Sequence, residues 1–153
     1  MKLRDVELLV QKYGMGWGSR GEKIELVGIL NGKEAVRRVF GSDAAASKLV
    51  ARPDAEILRM AAGDEWDCAR VSIGLVDQYG NICPFAFEPV AVKLSGPGRI
   101  LGPASFCLQG GVSAFWVATV GEVGQIEIEV ESPRFVAESV KISVLMAQSG
   151  GGQ

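Results

Sequence analysis

Gln125-Ile126-Glu127-Ile128-Glu129-Val130-Glu131 alternates apolar and acidic residues without a break. A period of two puts Ile126, Ile128 and Val130 on one face and Glu127, Glu129 and Glu131 on the other. This is the pattern of a strand half-buried in an antiparallel sheet. The same rule works outward in both directions. Val140, Ile142 and Val144 turn inward while Ser139, Lys141 and Ser143 turn outward. Val71, Ile73 and Leu75 alternate with Ser72, Gly74 and Val76, and Val90, Val92 and Leu94 form another apolar row. Val112 to Val120 reads as a strand apolar on both faces, Phe115 and Val117 against Trp116 and Ala118.

Strong turn chemistry separates these runs: Asp77-Gln78-Tyr79-Gly80-Asn81, Gly96-Pro97-Gly98, Gly110-Gly111, Gly121-Glu122-Val123-Gly124 and Ser132-Pro133. About seven short strands with turns every 8–12 residues predict an all-β fold, an immunoglobulin-like β-sandwich over residues 47–147. Residues 1–45 predict a smaller, partial β unit. Asn31-Gly32 stands between Lys23–Leu30 and Lys33–Phe40, and both turn positions tolerate positive φ, so a hairpin is expected there. Residues 5–13 read as a further strand, with helix the competing reading there and over residues 43–49, both runs too short to stand as isolated helices. The junction falls at residues 43–46, and the Gly/Ser-rich residues 148–153 are expected to be a disordered tail.

Composition bounds the function. With 153 residues, 48% hydrophobic and 22% charged, the chain fits one globular domain, or one with a small partial unit. Sixteen Lys and Arg are scattered among 18 acids, for a net charge of −2. No basic face for a nucleic-acid partner is evident, the nearest cluster being Arg37-Arg38. No apolar run reaches the roughly 18 residues of a membrane span. The opening Met-Lys-Leu-Arg-Asp-Val-Glu has acids where a signal peptide needs apolar residues, so a cytoplasmic chain, or a segment of a longer and exported protein, is expected. Cys68, Cys83 and Cys107 are odd in number and lack a C-x-x-C pair, and His is absent. A disulfide framework and a zinc site are both disfavoured, and the usual general base is missing.

Gly16-Trp17-Gly18-Ser19-Arg20-Gly21 fits the G-x-G-x-x-G form of dinucleotide sites. That chemistry needs a helix to begin there, and a hairpin comes next instead, so no cofactor is assigned. Glu127, Glu129 and Glu131 are spaced like paired catalytic carboxylates, but a solvated sheet face accounts for them better. Asp64, Glu65 and Asp67 around Trp66 read as an acidic turn, with a sugar or metal contact the less favoured alternative. Trp116 is expected in core or interdomain packing, whereas Trp17 and Trp66 lie in loop-like contexts and are the candidates for stacking on carbohydrate. The cysteines, set among Ala, Ile, Pro, Phe and Leu, are expected as buried, inert thiols. No catalytic residue and no metal ligand is assigned.

Several stretches carry a resemblance. Lys23-Ile24-Glu25-Leu26-Val27-Gly28-Ile29-Leu30-Asn31-Gly32-Lys33-Glu34 resembles the last hairpin of the immunoglobulin-like domain that follows the barrel in family 2 glycoside hydrolases of the β-galactosidase type. Lys48 to Asp54, Val71 to Asp77 with Gly80-Asn81, Ser95 to Pro103 and Gly110 to Val117 resemble, in order, strands of a C-terminal domain of that family. The likeness runs from about Lys23 to Val144. It implies a non-catalytic, structural C-terminal region whose partners are the upstream catalytic domain or another subunit. The family's acid/base and nucleophile glutamates sit in a (β/α)₈ barrel, which needs about 250 residues of its own, so none maps onto this chain. Two departures stand out: the preceding domain is present only as its end, and Cys83, Phe85 and Cys107 replace polar residues usual in such loops. The rival reading is a carbohydrate-binding or bacterial surface-adhesion module working through Trp17 and Trp66; an independent small enzyme is remote.

Overall fold

The computed structural model describes Arg4, Glu7, Leu8 and residues 23–41, 47–60 and 66–147. It divides into two units, one comprising Met1–Ser47 with the loop Asp77–Asn81, the other Lys48–Val76 with Ile82–Gln153.

In the first unit, β1 (Lys23–Leu30) and β2 (Lys33–Gly41) form an antiparallel hairpin. Asn31 and Gly32 turn it with φ of 52° and 74°, as a two-residue turn matched to the strand twist requires. One face carries Glu25, which meets Lys23 at 2.7 Å and Arg37 at 2.6 Å, while Arg37 also reaches Glu34 at 2.8 Å. The other face places Leu26 opposite Arg38 and Ile24 opposite Phe40, and leaves Ile24, Leu26 and Val36 exposed. The loop Asp77–Asn81 is tied to this hairpin by the Asn81 amide, which donates to the Val39 carbonyl at 2.6 Å. Glu7 and Leu8 are helical, so the strand expected over residues 5–13 gives way there to its competing reading. The rest of that run, the junction at 43–46 and the tail at 148–153 lie outside the described residues.

The second unit is a two-sheet β-sandwich. Its strands are β3 (Lys48–Pro53), β4 (Ile57–Met60), β5 (Cys68–Val76), β6 (Pro89–Ser95), β7 (Gly98–Leu101), β8 (Ser105–Cys107), β9 (Val112–Thr119), β10 (Gly124–Glu131) and β11 (Glu138–Met146). One sheet has the order β4-β11-β10-β6-β8 and the other β3-β5-β9-β7. All neighbours are antiparallel except β4 and β11. Lys48 and Leu49, within the run where a helix competed, belong to β3. Nine strands exceed the expected seven because short pieces such as Ile57–Met60 and Ser105–Cys107 carry too few residues to show a period.

The chain changes layer at every connection from β3 through β10, some of them short corners. Residues 54–56 carry it from β3 to β4, and Gly96-Pro97 from β6 to β7. Gly96 has φ of +91°, and a Cβ there would lie 2.1 Å from the Gln125 carbonyl oxygen, so only glycine fits. Between the layers lie Ile73, Val71, Phe115, Val117, Leu58, Ile126, Ile128, Val130, Ile142 and Val144, all buried. The apolar sets expected from alternation are therefore the ones facing the core. Each fully buried Val, Leu or Ile stabilises by about 1.5–3 kcal/mol before chain entropy is charged against it.

Candidate functional site

Among the described residues, the two most buried carboxylates are both engaged by the fold itself. Glu88, immediately before β6, is 1% exposed. Its carboxylate accepts from the Ser132 hydroxyl at 2.5 Å and from the Arg134 guanidinium, Nε at 2.8 Å with Nη2 closer still, so it anchors the β10–β11 connection. Arg134 hydrogen-bonded to Glu88 lowers its pKa below the ordinary glutamate value; burial opposes this and Ser132 assists. At Asp77, burial pushes the carboxyl up. Donation from the Asn81 side chain and from the Asn81, Gly41 and Tyr79 N–H groups outweighs it and holds the pKa below the usual carboxylate value. Asp77, accepting on both oxygens from all of these, has no lone pair left for substrate.

Trp17, with the rest of the Gly16–Gly21 motif, lies outside the described residues, and the next described element in the chain is the strand β1. Trp66 is 58% exposed at the entrance to β5. Asp67 beside it is structural: its carboxylate accepts from the N–H groups of Arg59 at 2.9 Å and Cys68 at 2.8 Å, and its own N–H reaches the Thr119 hydroxyl at 3.2 Å. Asp64 and Glu65 lie outside the described residues. Cys68 and Cys83 are half-buried, and Cys107 is exposed, which corrects the expectation of three buried thiols. Cys107 sits on the edge strand β8, whose outward positions the local apolar setting did not reveal. Among the described residues, no three His, Cys, Asp or Glu side chains stand together as a metal site.

What does gather is on the outer faces of the sandwich. On the five-stranded sheet, Glu127 stands opposite Lys141 and pairs with it at 2.8 Å, and Lys93 is ion-paired with Glu131. These charges satisfy each other. On the four-stranded sheet, one cross-strand row runs Arg70, Trp116, Leu101. The row on one side is Arg52, Ser72, Ala114, with Val50, Gly74, Val112 beyond it; the row on the other is Cys68, Ala118, Arg99. Trp116 is 46% exposed there, which corrects the core half of its expectation. No strand position on this face carries an acid; Asp54, just past β3, stands opposite Arg70 and its carboxylate accepts from the Arg70 N–H at 2.8 Å. Lys48, Arg52, Arg70 and Arg99 form no ion pair among the described residues. Reasoning from the sequence missed these three arginines as a group, although the signal was present: outward positions of β3, β5 and β7 that lack the acids seen on β10.

Comparison with known proteins agrees with this architecture. Residues 50–141 match the family described as glycoside hydrolase family 2 C-terminal domain 5. A β-galactosidase of Rhizobium radiobacter is 35% identical over 128 residues, covering 84% of this chain and 91% of that one. A β-galactosidase of Thermoanaerobacter pseudethanolicus is 31% identical over 122 residues, 79% of this chain, and this chain spans only 16% of its length. A crystal structure of a β-glycosidase from Bacteroides vulgatus shares the fold with a TM-score of 0.68 at 23% identity, over 80% of this chain and 17% of that one.

Proposed function

The chain belongs to the family 2 glycoside hydrolase C-terminal domains, and from that premise we propose that it is a non-catalytic, ancillary module of a β-galactosidase-like hydrolase. Its work is to support the catalytic part or the oligomer of that enzyme. The observation that carries this reading is the fate of the buried carboxylates. Glycoside hydrolysis needs a pair of carboxyl groups open to a sugar, whereas Glu88 is buried and ion-paired with Arg134 and Asp77 is saturated by hydrogen bonds within the fold. The relation to a Thermoanaerobacter pseudethanolicus β-galactosidase of which the chain spans 16% supports it further.

The test is to assay the purified chain on a chromogenic β-galactoside, beside the Thermoanaerobacter enzyme with and without the segment this chain matches. The expected result is no turnover by the chain and a lower melting temperature or a smaller oligomer for the shortened enzyme. Turnover by the chain that vanished on changing one carboxylate would sink the reading.

A second reading, a carbohydrate-recognition or surface-adhesion module, is favoured by one observation, the exposure of Trp66. A flat apolar ring with a polar edge suits the face of a sugar. Saturable quenching of tryptophan fluorescence by galactosides, lost in Trp66→Ala or Trp17→Ala, would establish it.

A further inference from the structure

The outer face of the four-stranded sheet combines two properties that seldom occur together without a partner. It is apolar at its centre, where Trp116, Leu101, Val112, Ala114 and Val50 stand in adjoining rows. It also carries Lys48, Arg52, Arg70 and Arg99 with no acid at any strand position; Asp54, just past β3 and opposite Arg70, has its carboxylate on the Arg70 backbone N–H at 2.8 Å. With Asp54 these groups sum to +3 in a chain whose net charge is −2, so everything else carries −5. We propose that this face is where a carboxylate-rimmed apolar surface of another domain of the same hydrolase docks, with Trp116 as its central anchor. The proposal rests on the ancillary-module reading above and names the surface through which that module acts.

Charge complementarity selects the occupant. A second copy meeting this face about a two-fold axis would set +3 against +3, and like charges across an interface disfavour it. A neutral glycan presents hydroxyls that need acceptors as well as donors, and Ser72 is the one strand side chain in the rows around Trp116 that offers an oxygen acceptor. An anionic glycan would satisfy the arginines but leave the aliphatic centre against hydroxyls. A protein surface with an apolar middle and acids at its rim meets both, and Trp and Arg are the residues that anchor such contacts.

The test is hydroxyl-radical footprinting of Trp116, read by mass spectrometry. The isolated chain is compared with a chimera in which it replaces the matching segment of the Thermoanaerobacter pseudethanolicus β-galactosidase. Met60, 4% exposed, reports folding, since it is oxidised only if the sandwich opens. The expected result is oxidation of Trp116 about tenfold slower in the chimera, as for the desolvated centre of an interface, and restored by Arg70→Glu with Arg99→Glu while Met60 stays protected. If that pair of changes opens the sandwich, Arg70→Gln alone gives the same readout. Equal oxidation of Trp116 in both proteins overturns the proposal. So does protection in the isolated chain that grows with its own concentration, which would mean a second copy, or that appears with polygalacturonate, which would mean a glycan. If the chimera does not assemble, the chain is added to the shortened enzyme, and an unprotected Trp116 there overturns the proposal equally. An unprotected Trp116 in a chimera as stable as the natural enzyme would remove this surface and leave the ancillary reading intact; turnover by the chain alone would remove that reading instead.

Discussion

Glu127 and Lys141 stand opposite each other on β10 and β11 and close to 2.8 Å, whereas the Arg70 side chain, in the same relation to Trp116 across β5 and β9, pairs with no acid among the described residues. Both sheets obey the same alternation, and both turn their Val and Ile rows inward. The difference lies in what the outward positions hold and which of them the register brings together. Cross-strand neighbours on one face are the pairs that interact, so a sheet that alternates acids and cations in register neutralises itself. One that aligns cations with an indole and aliphatic side chains leaves charge and apolar area available to something else. Stability is drawn from the shared core, and the two exteriors are free to diverge.

The comparison can be broken at its root by removing what the layers share. Ile128→Ala is expected to cost about 2–5 kcal/mol in denaturant unfolding, while Trp116→Ala, one sheet away and half-exposed, costs less than half of that. Equal losses would mean that Trp116 holds the sandwich together and is not an outward-facing anchor. Gly96→Ala acts at a corner joining the layers, where positive φ and the Gln125 carbonyl both exclude a side chain. A loss of about 1–3 kcal/mol is expected from the strained backbone alone, with circular dichroism showing the strands retained.

Acid sharpens the contrast. Glu88 has its pKa lowered in the folded chain, first by Arg134. Its contribution is therefore complete above the pKa of a free glutamate and is lost as pH falls through the lower folded value. Glu88→Gln is expected to be less stable than the parent at pH 7, and the gap should narrow on acidification. A gap that stayed constant with pH would mean that packing of the side chain, and not its charge, is what matters. The smallest effect belongs to the outer pair. Lys141→Ala removes a partner of Glu127 where both side chains are more than half exposed, and the loss should be under about 1 kcal/mol and shrink in salt.

Much of the fold was legible before any coordinates. The alternation in residues 125–131 and 139–144 marks both the core residues and the outward ones, and Asn31-Gly32 marks the hairpin turn. Short elements were not legible. Leu108 is fully buried yet lies outside any periodic run, and β4 and β8 have four and three residues. The candidate sites fared differently. Trp66 was chosen for its loop context and is exposed, but the adjacent Asp67 is not held for a ligand, because its carboxylate is committed to backbone N–H groups. Trp116 was assigned to packing because its neighbours are apolar. A one-residue step along β9 decides which face that packing uses, and it placed Phe115 inside and Trp116 outside.

By itself the sequence determined the class of fold, the inward rows, the hairpin, the absence of histidine chemistry and the family likeness, because these depend on local period, turn stereochemistry and composition. Only the tertiary structure decided that Glu88 is neutralised by Arg134, 46 residues away, and that Arg52, Arg70 and Arg99 surround Trp116 on one face. Those relations join residues distant in the chain through strand register and sheet order, and no local pattern encodes which strand becomes whose neighbour.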